Sequence, residues 1–345
     1  FCHQRRGGKG GVIIVGKPKT GEILALVSSP GFDPNVLADG ISQEAWNRLL
    51  NDPQRPLNQR FLQSLYPPGS IFKLIVGLAA VEQGLEDTKR TIFCPGYFDY
   101  NGWRCPCWRK SGHGRLNFEE AIAQSCNVTF YTLGLELTER RIDEMAERFQ
   151  FGEKRDIDLP GEGHGFLPTS RWKRQKTGEP WYPGDTINLS IGQGYLLVTP
   201  FEIYSMVTTI ANRGKIYKPH LVKKILDEKG EVVTKVVPTI ENTVKIKEQA
   251  WDQIIRGMGK VVSTGTGKAC QDLPIKMAGK TGTAQNPQGA DHSWFAGFFP
   301  LNDPEVSFVV LVEHGGDGSG EAAHRGRDLV QWYLENRGIS QDETR

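Results

Sequence analysis

Residues 71 to 85 leave a helix no polar side. Ile71, Phe72, Leu74, Ile75, Val76, Leu78, Ala79, Ala80 and Val81 cover nearly every helical angle. A helix that is apolar all round is stable only in the interior of a larger body, so the remainder of the chain must enclose it. With 345 residues, folding is expected to bury about three quarters of the unfolded surface, which is enough for such an enclosure.

The enclosing layers are written at the two ends. Val12 to Val15 and Ile23 to Val27 are β-branched runs separated by Gly16, Pro18 and Gly21, the pattern of a hairpin. The last third carries three further strand-like runs, Ile275 to Ala284, Ser293 to Phe299 and Val306 to Val312, and then an amphipathic helix from Arg327 to Asn336. Between the ends the periodicity is helical. Asn117 with Glu120 three residues later makes a capping box that opens a helix through Gln124. The helical pattern resumes from Val128 to Leu137 and again from Phe201 to Asn212. Leu159 to Pro200, rich in Gly, Pro and Trp, is expected as long surface loops, and Leu221 to Val244 as a β-meander. Strands at both ends with helices between them predict an α+β fold in which N- and C-terminal strands share one antiparallel sheet and an all-helical part is inserted between them. The expected division is a remnant of an upstream region over 1–11, one domain over 12–338 and a tail over 339–345. The chain opens at Phe1 rather than Met, so the lack of an 18-residue apolar run is expected to say nothing about a longer parent.

Charge narrows the function classes. Forty-two Lys plus Arg against 40 Asp plus Glu give a net charge of +2, which offers no electrostatic footprint for nucleic acid. Charged residues at 24% and hydrophobic residues at 38% exclude a disordered chain. Forty glycines, clustered rather than periodic, predict many tight turns.

Three short motifs carry chemistry. In Ser70-Ile71-Phe72-Lys73 the i, i+3 spacing places a hydroxyl and an amine on one face of a first helical turn. Pro68 and Gly69 make the sharp lead-in, and the helix N-terminus favours developing negative charge. Lys73 is surrounded by apolar neighbours, so its pKa should fall, as a lysine that deprotonates a serine requires. In Ser125-Cys126-Asn127 the two polar side chains can meet in one cleft only if the helix from Phe118 breaks there and a new one starts at Val128. Cys126 itself, flanked by Ala123, Val128 and Phe130, reads as a buried structural thiol. Lys280-Thr281-Gly282-Thr283 lies on a strand. It is not a phosphate loop, because that motif needs Gly where Pro274 stands. On an edge strand Lys280 would give a fixed positive charge, Gly282 would let a ligand's backbone lie close, and the Thr283 N–H could serve an oxyanion.

In this order and spacing the three motifs resemble the Ser-x-x-Lys, Ser-x-Asn and Lys-Thr-Gly set of penicillin-recognising serine enzymes. The segments 66–70, 184–194, 277–285 and 292–297 narrow the resemblance to the transpeptidase domain of class B penicillin-binding proteins, and within it to the elongation-type members. The likeness runs from about Gly8 to about Asn336. It implies the penicillin-binding, serine β-lactamase-like fold and a peptidoglycan D,D-transpeptidase. Ser70 would attack the D-Ala-D-Ala carbonyl with Lys73 as general base, and Ser125 would relay the proton to the leaving D-Ala. Asn127 would bind the donor amide, Lys280 and Thr281 its carboxylate, and the N–H groups of Ser70 and Thr283 its oxyanion, with Gly282 beside them. The resemblance further implies peptidoglycan stem peptides and β-lactams as ligands, a membrane glycosyltransferase of the elongation machinery as partner, no cofactor for catalysis, and a place on the periplasmic face of the inner membrane, held by an N-terminal helix outside this sequence. A serine β-lactamase, a D,D-carboxypeptidase and a non-catalytic β-lactam sensor share the acylation step and stay open.

Cys94, Cys105, Cys107 and His113 form a separate cluster. Three thiols and an imidazole within twenty residues would suit a closed, structural zinc site over the cleft. A disulfide, as an exported domain allows, and free thiols are the alternatives. Cys2 and Cys270 have no assigned partner. His292 is expected to pack rather than to line the cleft, Glu313 to Gly316 to form a turn, and Gly265-Thr266-Gly267 a loop into the Lys280 strand. Trp103, Arg104 and Trp108 are expected on a solvated loop.

Overall fold

The structure is a computed structural model that describes residues 9–38, 40–85, 90–287 and 289–338. Residues 1–8 of the expected upstream remnant, Cys2 among them, and the expected tail 339–345 lie outside the described residues.

The β-branched runs at the two ends pair as expected. Strands Ala278–Ala284, His292–Phe299, Val306–Val312, Gly11–Gly16 and Ile23–Ser29 form one five-stranded sheet in that spatial order. All four ladders are antiparallel, with Gly11 opposite Val312 and Ala278 opposite Phe298. Both faces are covered, which explains why Val306–Val312 is apolar almost without interruption. Phe295, Phe299, Phe308, Val310 and Val312 pack with Ala322, Ala323 and Val330 of helix Glu321–Arg337. Trp294, Ala296, Phe298, Val309 and Leu311 point the other way, into the cluster that includes Tyr204 and Val207 of helix Pro200–Ala211. Ala278–Ala284 is an edge strand, so one row of its backbone groups is free to face the helical part.

The all-apolar helix lies where its composition requires. In Lys73–Glu82 every residue from Lys73 to Val81 is buried, against helices Asn127–Arg148 and Glu248–Ser263. It begins two residues later than its apolar run because Gly69–Ile71 forms a tighter 3-10 turn. It ends at Glu82, where Gly84 takes a left-handed φ of 71°. The Asn117–Glu120 capping box is present at the start of helix Phe118–Ala123. The predicted break follows: Ser125 adopts φ 51° and Cys126 caps the next helix, which starts at Asn127.

Three regions differ from the sequence reading. The stretch expected as loops holds two short helices, Ser170–Thr177 and Pro183–Leu189, each stopped and started by its own caps. The expected meander splits: Lys224–Leu226 pairs with Val232–Lys235, while Ile240–Thr243 pairs back with Lys215–Tyr217. Helix Glu248–Ser263, which no expectation covered, presents Ala250, Trp251, Ile254, Met258, Val261 and Val262 to the core, the spacing of one helical face.

Candidate active site

Ser70 is held by two glycines. Gly69 has φ 54°, and a Cβ there would lie 2.3 Å from the Thr283 carbonyl oxygen, so any side chain would push the serine turn off the edge strand. Gly282 does the same from the other side: its Cβ would come within 2.9 Å of Ile71 and 3.0 Å of the Pro68 carbonyl. The space expected for a ligand at Gly282 is thus occupied by the protein's own serine turn. The turn is tied to the sheet from outside as well, where Glu313 accepts from Tyr66 Oη (2.7 Å) and Arg60 Nε (3.1 Å).

The two lysines converge on Ser125. Lys73 Nζ donates to Ser125 O (2.8 Å) and Asn127 Oδ1 (2.7 Å) and lies 3.3 Å from Ser125 Oγ. Lys280 Nζ donates to the same Ser125 Oγ at 2.9 Å and to Thr281 O at 3.0 Å. Both side chains are fully buried. Burial brings the Lys73 pKa from 10.5 down to about 8, because a low-dielectric site disfavours the ammonium. Burial first, and then repulsion from Lys73, push Lys280 well below its ordinary value. Burial therefore works against the fixed positive charge expected of Lys280, and a carboxylate arriving beside it would favour that charge. The left-handed Ser125 lets its hydroxyl and the Asn127 amide reach one lysine from adjacent turns.

Three contributors were not among the expected site residues. Thr266, from the segment expected as a plain loop, places its hydroxyl 2.5 Å from that of Thr281, and its N–H donates to Ala123 O. Gly318 N donates to Thr283 Oγ1 (3.0 Å), and Gln193 Nε2 donates to Thr283 O (3.2 Å). Gln193 lies in the segment 184–194 that carries the resemblance and Thr266 in the loop 265–267, but the part each plays becomes visible only when distant loops meet the edge strand. His292 packs, as expected: it stacks edge-on against Tyr66, Nδ1 accepts from His314 N at 3.1 Å, and burial lowers its pKa. Trp103 and Trp108 are half exposed, yet Trp103 rests on Gly184 and Trp108 Nε1 donates to Gln124 O.

The cysteine cluster needs one correction. Cys94, Cys107, His113 and Cys126 bring their ligand atoms within 4.8 Å of one another, and Cys105 is not in the set. Cys105 lies within strand Trp103–Pro106 and packs with Tyr131 and Ile187, whereas Cys107 lies beyond the strand's end and packs with Cys94 and Cys126. His113 Nδ1 faces Cys94 Sγ at 3.4 Å and Cys107 Sγ at 3.6 Å. The hydrogen bond between Cys107 and Cys126 pushes the Cys107 thiol down and the Cys126 thiol up. All five cysteines of the described residues are free. Three buried sulfurs and one ring nitrogen around a common point are a donor set that fits a tetrahedral, closed divalent metal. Cys126, expected as a mere packing thiol, would tie that centre to the Ser125–Asn127 turn.

Comparison with known proteins places this geometry in context. The family model described as the penicillin binding protein transpeptidase domain matches residues 11–331. Peptidoglycan D,D-transpeptidase MrdA of Haemophilus influenzae is 36% identical over 352 residues, covering 95% of this chain and 53% of that protein. The chain thus spans about half the length of the curated relatives it matches. The crystal structure of Pseudomonas aeruginosa PBP2 in complex with WCK 5153 aligns with a TM-score of 0.88 at 36% identity, covering 98% of this chain and 74% of that one. A structure described as a peptidoglycan synthase complex that coordinates polymerization and crosslinking aligns with a TM-score of 0.86 at 35% identity, covering 96% of this chain and 57% of that one.

Proposed function

This chain belongs to the penicillin-binding protein transpeptidase family, and from that premise we propose that it is the catalytic domain of a serine D,D-transpeptidase that cross-links peptidoglycan stem peptides during cell elongation. The observation that carries the reading is the convergence of Lys73 and Lys280 on Ser125, beside the turn that presents Ser70. A lysine with a pKa of about 8 has enough neutral amine near pH 7 to act as a base. Neutral Lys73 takes the proton as Ser70 Oγ attacks the donor's D-Ala-D-Ala carbonyl. The N–H groups of Ser70 and Thr283 hold the oxyanion. Ser125, in reach of Lys73, passes that proton to the nitrogen of the leaving D-Ala, so the C–N bond breaks as an acyl-enzyme ester forms. Asn127 binds the donor amide. Lys280 and Thr281, the latter set by Thr266, receive the terminal carboxylate, and Gly282 keeps strand and serine turn in contact. The amine of a second stem peptide then attacks the ester and gives up a proton, which returns by way of Lys73 to Ser70 Oγ as the C–O bond breaks. A β-lactam imitates the donor and stops at the ester.

Catalysis in this scheme uses no cofactor. A structural zinc is proposed for Cys94, Cys107, His113 and Cys126; it would bind thiolates and an imidazole and staple the insert 94–114 to the Ser125 turn. The proposed partner is a membrane glycosyltransferase of the elongation machinery, which the likeness to a structure of polymerization and crosslinking supports. The proposed location is the periplasmic face of the inner membrane, by an anchor outside these residues; among the described residues no helix is long and apolar enough to cross a membrane. The proposed extent of the catalytic domain is 12–338.

Intact-mass measurement after exposure to penicillin tests the reading. A stable adduct that disappears in Ser70→Ala is expected. Rapid turnover to hydrolysed drug would replace the transpeptidase by a β-lactamase.

A further inference from the structure

The segment Gly192-Gln193-Gly194 touches both walls of the proposed oxyanion pocket at once. Gly192 O accepts the Gly69 N–H at 2.9 Å, and a Cβ on Gly192 would lie 2.1 Å from Gly69 O, so the residue before Ser70 is pressed against this segment. From the next position Gln193 Nε2 donates to Thr283 O at 3.2 Å. The segment is itself fixed. Ile191 N and Gln193 N donate to Asn188 O, and Gly192 N donates to Leu189 O, which anchors it to the end of helix Pro183–Leu189.

Within an antiparallel strand the N–H and C=O of one residue point to the same side. Gln193 is not on the neighbouring strand, so its bond shows that Thr283 turns both groups toward the free edge, where Ser70 lies. With φ and ψ held extended by the strand, a bond to the Thr283 carbonyl also constrains the direction of the Thr283 N–H. We infer that Gln193 is a positioning residue for acyl transfer: its amide fixes the backbone of Thr283 so that the Thr283 and Ser70 N–H groups aim at one oxygen. The inference rests on the acyl-transfer reading above and assigns Gln193 no contact with the reacting atoms.

Gln193 also lines a cavity of about 280 Å³ together with Trp181, Asn188 and Tyr195. Shortening its side chain extends an existing space instead of opening a new one in the core, so substitutions there are expected to fold. Two variants separate bonding from bulk. Gln193→Ala removes the side chain, and Gln193→Glu keeps its shape but has no N–H to donate and adds a charge, so a loss of rate counts for the bond only where Gln193→Ala shares it. Stopped-flow acylation with a fluorescent penicillin gives the acylation rate constant and the dissociation constant of the preceding complex separately. An alkylboronic acid, which forms a tetrahedral adduct on a nucleophilic serine, reports on the oxyanion geometry without turnover. In both variants the acylation rate constant is expected to fall about tenfold, a fraction of the loss on deleting an oxyanion donor outright. Boronate affinity should fall by a similar factor, while the penicillin dissociation constant stays within about twofold and the melting temperature within about 2 °C. An unchanged acylation rate in Gln193→Glu would overturn the assignment. So would parallel losses of rate, ground-state affinity and melting temperature, the mark of a merely structural residue. The wild-type protein separates this from the wider reading: if it is acylated at Ser70 and the variants match it, only the role of Gln193 falls, whereas a wild type that is not acylated removes both.

Discussion

Lys73 offers the sharpest test, because one number governs both its chemistry and its cost to the fold. With a pKa of about 8 it is about 10% neutral at pH 7, against about 0.03% for an ordinary lysine of pKa 10.5. Burial thus raises the competent fraction about 300-fold. Acylation of Ser70 by penicillin, followed by stopped-flow fluorescence below saturation, should rise about tenfold from pH 6 to 7, slow near 8 and level by pH 9. A rate still climbing tenfold per unit between pH 9 and 10, or one flat from pH 6 to 9, would refute the assignment of Lys73 as the base. The same burial predicts a stability effect of definite sign. The folded-state pKa lies below the unfolded one, so between about 8 and 10.5 the folded state holds fewer protons than the unfolded state. The penalty is therefore complete below pH 8 and is relieved as the pH rises to 10.5. From 10.5 to about 8 it amounts to about 3 kcal/mol at 1.36 kcal/mol per pH unit. Lys73→Met keeps the volume and removes the charge. It should abolish acylation yet raise stability at pH 7 by up to about 3 kcal/mol, less what is lost with the bonds to Ser125 O and Asn127 Oδ1. Denaturant unfolding at pH 7 and pH 10 checks this; an equal effect at both values would show that burial of the charge is not the cause.

Gly69→Ala combines a left-handed φ with a Cβ 2.3 Å from Thr283 O. About 1–2 kcal/mol of backbone strain plus displacement of the oxyanion wall should slow penicillin labelling about a hundredfold, with a modest loss of thermal stability; near-normal labelling would show that the serine turn does not depend on this contact. Protein purified without chelator should carry about one zinc per chain. Elemental analysis should show it lost in Cys126→Ser and retained in Cys105→Ser, and the reverse pattern would restore the ligand set expected from the sequence.

What the sequence disclosed depended on whether the signal was local. The end strands were legible because each is a β-branched or aromatic run bounded by turns, and the break at Ser125 because two polar residues two apart cannot share a helical face. Of the motif residues, Lys73, Ser125, Asn127 and Lys280 are joined by hydrogen bonds, and Ser70 stands in the turn Gly69–Ile71 just before Lys73. Helices Ser170–Thr177 and Pro183–Leu189 were hidden because each is too short to show a period, and their caps, Thr169 and the Asp185 carboxylate that accepts from Tyr182 N, lie in a Gly- and Pro-rich stretch. Helix Glu248–Ser263 has a regular apolar face, but Gly257 and Gly259 lie within it and weaken its propensity. Cys126 was missed as a ligand because it is thirteen residues from His113 along the chain, and only the fold of the insert back onto the helix pair brings them together.

The order of strands in the sheet has a consequence in time. Gly11–Gly16 has the hairpin strand Ile23–Ser29 on one side and Val306–Val312 on the other, with Gly11 opposite Val312. A chain delivered from its N-terminal end can make the hairpin at once, but the other edge of Gly11–Gly16 waits for nearly the whole remaining sequence. Until then a run of Val and Ile presents unpaired backbone groups, the situation in which strands find wrong partners. The edge strand carrying Lys280 belongs to the same C-terminal run of strands, so the proposed catalytic surface also waits for the end of the chain. Synthesis rate and chaperone supply, rather than stability alone, would then set how much active protein a cell obtains.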